Sequence, residues 1–91
     1  MTLLTPDQVA AGLRSLPAWA RRGDAIVREY QFADFAAAVR FVNAVAAVAD
    51  ELWHHPDVDI RWNRVTLALT THDAGGLTEL DLSLAARIDA L

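Results

Sequence analysis

The chain has 91 residues, no cysteine and a formal net charge of −4, a length that allows one domain over residues 1–91, built on a single core. Without thiols there is neither a disulfide framework nor a thiolate zinc site, and without a run of about 18 apolar residues there is no membrane span, so a reducing, cytoplasmic setting is expected. The basic residues are all arginines, none clustered beyond Arg21-Arg22, which excludes a surface that neutralises nucleic-acid phosphates.

In chain order, Thr5-Pro6-Asp7-Gln8 opens a helix. Thr5 serves as N-cap, Pro6 takes the first helical position and Gln8 is placed to reach back in a capping box. Val9, Leu13 and Leu16 form its apolar stripe, and Pro17 ends it near Ser15. Trp19–Arg22 and Ala25–Phe32 flank Gly23-Asp24, a pair suited to a tight hairpin turn. Ile26, Tyr30 and Phe32 share one face of the second arm. Arg28 falls on the same face, so it must pair, leave or lie at an edge.

From the N-cap Asp34 the chain runs to about Trp53 without Gly or Pro and is rich in alanine, so a long helix is expected. Phe35, Val39, Val42, Ala46 and Ala49 make one stripe, and Ala38, Phe41, Val45, Val48 and Leu52 make an adjacent one. The apolar face is wide enough to serve its own sheet, a second subunit or both. Val58–Trp62 and Val65–His72 then alternate as strands about an Asn63-Arg64 turn. Thr78 caps a last helix running toward Leu91, with Glu79 and Asp81 in its first turn. The order α-β-β-α-β-β-α implies an α+β fold, a four-stranded antiparallel sheet with three helices on one face.

The chain's three histidines sit at two places in this scheme. Pro56 stops the long helix, so His54-His55 occupy a helix-to-strand junction, a natural pocket rim. His72 is out of phase with Val65, Leu67 and Leu69, which places it off the aliphatic face, near a loop. A lone histidine at a strand end is ordinarily a solvated or hydrogen-bonded side chain, and Trp53 and Trp62 are ordinarily core or interface aromatics. Three imidazoles gathered at one end of a sheet change the balance for the histidines.

Asp50, three residues, His54-His55-Pro56, five residues, Trp62, nine residues, His72, eight residues and Asp81 together resemble the signature of the pterin-4a-carbinolamine dehydratases. Gly23-Asp24-Ala25-Ile26, Phe32 with Asp34-Phe35, and Leu77-Thr78 extend the resemblance over nearly the whole chain. It implies the same α+β fold, assembled as a homodimer or homotetramer. It also implies dehydration of a 4a-hydroxytetrahydropterin to quinonoid dihydropterin plus water, with no metal or other cofactor. Imidazole suits that chemistry, because acid and base must both work near neutral pH and its reference pKa is about 6.5.

By resemblance, His54 and His72 would exchange protons with the pterin's 4a oxygen and adjacent nitrogen, and His55 would hold the substrate. Asp50, Pro56, Thr71, Asp73 and Ala74 would join the three histidines in binding the pterin. Asp50 stands where many relatives carry Glu, and Asp57-Val58-Asp59 lacks the aromatic that animal members carry just after the proline.

Two other readings have residues behind them. Three imidazoles are enough ligands for a catalytic zinc, although adjacent histidines diverge and rarely share one ion. The wide face of the long helix also suits a protein-binding or dimerisation module, a role known for an animal member of the family. The resemblance leaves a pterin-related role in molybdopterin metabolism open beside these. Retained histidines favour an enzyme.

Overall fold

The computed structural model describes residues 2–91. Helix α1 (Pro6–Leu13) is followed by strands β1 (Ala20–Arg22) and β2 (Ala25–Gln31), helix α2 (Phe35–Leu52), strands β3 (Asp57–Arg61) and β4 (Arg64–Leu69), a 3₁₀ turn (His72–Ala74) and helix α3 (Glu79–Asp89). The strands form one antiparallel sheet in the order β1-β2-β4-β3. The α+β order expected from the sequence is the order observed.

Local chemistry sets the boundaries. The Thr5 hydroxyl accepts from the Gln8 N–H at 3.1 Å while the Gln8 side chain accepts from the Thr5 N–H at 2.8 Å, closing the capping box of α1. The helix stops at Leu13, ahead of Ser15, because the chain leaves it through successive tight turns in which Arg14 N–H bonds Ala11 O and Leu16 N–H bonds Leu13 O. Gly23 carries the positive φ of the first hairpin, at 59°. The second hairpin turns one residue earlier than Asn63-Arg64: Arg61 pairs with Arg64, so Trp62-Asn63 make the turn and Trp62 takes φ 54°.

Residues pointing from the sheet toward the helices build the core. Ile26, Val65, Leu67 and Leu69 are fully buried and meet Ala38, Val45 and Val48 of α2 and Leu84 and Ile88 of α3. Arg28 lies on this face and resolves its conflict by pairing: its guanidinium reaches Asp89 at 2.6 Å and covers the Tyr30 ring. The indole N–H of Trp19, the buried tryptophan, donates to the same Asp89 oxygen. Trp53 and Trp62, by contrast, are both exposed and outside the core.

The two stripes of α2 separate. Ala38, Val45 and Val48 are buried and Phe41 packs against Tyr30 and Phe32 at 4.5 and 5.0 Å, whereas Phe35 and Ala46 of the other stripe are exposed. On edge strand β3 the inward-pointing Val58 is likewise uncovered, because β3 has a neighbour on one side only. The opposite face of the sheet is charged, with Glu29–Arg64 and Asp59–Arg61 pairs across it.

Strand β4 leaves the ladder at Leu69, short of His72. Thr71 makes an isolated bridge to Gly76, its N–H bonding Gly76 O and its carbonyl accepting from the N–H groups of Ala74, Gly75 and Gly76. This compact loop needs Gly75 at φ 78°. It sets His72 on the rim at the end of the sheet where α2 ends and α3 begins.

Candidate active site

Helix α2 closes with a Schellman arrangement. His54 N–H bonds Ala49 O at 3.1 Å, Trp53 N–H bonds Asp50 O at 3.3 Å, and Trp53 occupies the left-handed position at φ 52°, ψ 38°. That position favours glycine, and a bulky side chain there carries about 1–2 kcal/mol of strain. The reversal turns His54 inward and leaves His55 outward before Pro56 carries the chain into β3.

His54 is buried, and its Nε2 lies 2.5 Å from Asp81 Oδ1. Asp81 has no exposed surface. Its other oxygen accepts from the Thr71 hydroxyl at 2.8 Å and from the Thr78 N–H at 2.9 Å. Because the Thr71 proton is committed to Asp81, the Thr78 hydroxyl donates to Thr71 across 2.8 Å. Loop, helix start and imidazole are thereby joined through one carboxylate in a fully paired buried network. Asp81 also closes the capping box of α3, whose N-cap is Thr78.

His55 is different in kind. Its Nε2 lies 2.9 Å from Asp50 Oδ1, but the two side chains are 54% and 79% exposed, so water screens the pair. A cleft of about 220 Å³ opens between the end of α2 and the loop after β4, lined by Trp53, His54, His55, Thr70, Thr71, His72 and Asp73. All three imidazoles thus meet in one place. Asp50, Pro56 and Ala74 lie beside the cleft without lining it, and the backbone N–H and C=O of Thr71 are already used within the loop. Among the described residues no group of three or more His, Asp or Glu side chains is arranged to hold a metal ion.

Three lining or supporting residues stand outside the set expected from the sequence. Trp53 and Thr70 line the cleft, and Asp81, a helix-start acid and part of the signature, reaches back to His54. The Thr78-x-x-Asp81 spacing signals a capping box. Nothing in it signals that the same carboxylate reaches an imidazole 27 residues earlier.

The family profile described as "Pterin 4 alpha carbinolamine dehydratase" matches residues 2–91. The chain belongs to this family. Relatives bearing the family name include one from Acidobacterium capsulatum, 57% identical with 100% of this chain and 99% of the relative aligned, and one from Thermomicrobium roseum, 50% identical over 100% and 98%. Among solved structures, a transcriptional coactivator/pterin dehydratase from Brucella melitensis superposes with a TM-score of 0.92 at 36% identity, covering 98% of this chain and 97% of the other. A pterin dehydratase-like protein described as a RuBisCO assembly factor in the alpha-carboxysome gives 0.67 at 26% identity, over 80% and 87%. Across the described residues no helix is long and apolar enough to cross a membrane.

Proposed function

We propose that the cleft dehydrates a 4a-hydroxytetrahydropterin to quinonoid dihydropterin and water. The observation that carries this reading is the meeting of His54, His55 and His72 in one cleft of a family member. Loss of the hydroxyl needs a proton on the leaving oxygen and an acceptor for the proton on the adjacent nitrogen. His72, exposed on the rim, supplies the first. His54 takes the second: with Nε2–H donated to Asp81, Nδ1 carries the lone pair. The carbon–oxygen bond of C4a breaks as the nitrogen lone pair forms the carbon–nitrogen double bond, water departs, and solvent returns the proton from His54 to His72. His55 holds the ring.

Asp81 has a positioning role. It fixes the tautomer and orientation of His54 and stabilises the imidazolium that forms, as a buried carboxylate does for other catalytic imidazoles. No arginine lines the cleft, and Asp73 does, so an uncharged pterin side chain suits it better than a phosphorylated one of the molybdopterin type. A second copy of the chain is the proposed cover for Phe35, Val58 and Trp62, giving a homodimer or homotetramer. The same apolar surface favours a protein-binding role as the second reading.

The test is a stopped-flow assay in which freshly generated 4a-hydroxytetrahydropterin is followed in the ultraviolet as quinonoid dihydropterin appears. Acceleration in proportion to protein concentration supports the reading. A folded protein that leaves the spontaneous rate unchanged sends the function to the binding surface instead.

A further inference from the structure

Trp53 is 86% exposed, more than any other large hydrophobic residue described. It sits in the left-handed position that closes α2, where a tryptophan is strained and a glycine or asparagine is at ease. It also lines the histidine cleft, whose other walls are imidazoles, threonines and an aspartate. Ligand sites are mostly apolar with a few polar groups to orient the ligand; here Trp53 is the one large apolar surface among the lining residues. Strain retained beside such a site points to a use for the side chain.

We infer that Trp53 is a substrate-binding residue, an aromatic plate that stacks on the face of the planar pterin ring while the histidines address its edge. The inference rests on the dehydratase reading and deepens it by assigning ring-face recognition. An indole carries a broad apolar face with only two side-chain torsions to restrain, so stacking gains contact area at low entropic cost. Stacking is indifferent to the ring's substituents, so Trp53 contributes affinity for the pterin nucleus and little discrimination among pterin side chains. It makes no proton transfer, so its contribution belongs in KM and leaves kcat nearly untouched.

The experiment compares wild type, Trp53→Asn and Trp53→Phe. Asparagine accepts the left-handed backbone and deletes the plate, and phenylalanine keeps an aromatic face. Steady-state dehydration gives KM and kcat. Calorimetric titration with a tetrahydropterin lacking the 4a-hydroxyl gives affinity without turnover, and sedimentation equilibrium gives the assembly mass. The expected result is a roughly 10-fold rise in both KM and Kd for Trp53→Asn, kcat within about 3-fold, and recovery in Trp53→Phe. Unchanged KM and Kd in Trp53→Asn, with wild type active, overturn this inference and leave the dehydratase reading standing. A change in assembly mass that accompanies the loss of affinity assigns Trp53 to the subunit interface and also overturns it. Wild type that is folded, inactive and blind to the tetrahydropterin overturns both.

Discussion

Asp81 holds His54, Thr71 and the first turn of α3 at once, so its replacements separate catalysis from stability. Asp81→Asn keeps the shape but offers His54 an amide in place of the carboxylate; kcat is expected to fall by about 10²-fold or more with the fold retained. Asp81→Ala leaves buried donors unpaired and is expected to lower the unfolding free energy by about 2–4 kcal/mol in urea titrations. Asp50→Asn, at an exposed pair, is expected to change stability by less than about 0.5 kcal/mol. Tyr30 supplies a pH test. Its hydroxyl is buried with no hydrogen-bond partner among the described residues, and burial pushes its pKa from 10.0 up to about 12. The folded chain keeps a proton that the unfolded chain releases above about 10, so stability declines as pH rises from about 10 to about 12. Tyr30→Phe is expected to remove this dependence in thermal melts across that range, without lowering stability at neutral pH.

At the scale of elements, the helix starts and the hairpin order were legible because their signals are local. Thr5-Pro6-Asp7-Gln8 and Thr78-Glu79-Leu80-Asp81 carry their capping chemistry within four residues, and the alternation of Val65, Leu67 and Leu69 survives because β4 is covered by helices. Edges misled. The turn falls one residue before Asn63-Arg64 because it places Trp62 at positive φ, a conformation its residue type does not advertise. Strand β4 ends at Leu69, before His72, because the chain beyond it forms an isolated bridge between Thr71 and Gly76 that depends on the loop between them. In the site, the gathering of His54, His55 and His72 followed from their positions at one end of the sheet, whereas the reach of Asp81 and the exposure of Trp53 depend on side-chain directions set by packing. Asp89 ties the end of α3 to β2 and to Trp19; Asp89→Ala is expected to cost about 1–2 kcal/mol, read as a lower thermal midpoint.

For the whole molecule, a chain of this length buries only about 60–65% of its unfolded surface, so association adds a stabilising term that its own core supplies sparingly. Phe35 on the outer stripe of α2 and Val58 on edge strand β3 are left open, while the far face of the sheet is charged. Sedimentation equilibrium is expected to give a dimer or tetramer mass, and Val58→Glu to shift it toward monomer while the spectrum of secondary structure is kept. On the proposed reading, catalysis and association use different regions of one small fold. The imidazoles stand at the end of the sheet, where α2, β4 and α3 meet, and exposed Val58 lies on its edge strand. The decisive measurement is the dehydration rate of 4a-hydroxytetrahydropterin by wild type, His54→Ala and His72→Ala at equal concentrations of folded protein. The expected result is acceleration by wild type that falls about 10²-fold or more in each variant; equal rates in all three would contradict histidine acid–base catalysis in this cleft.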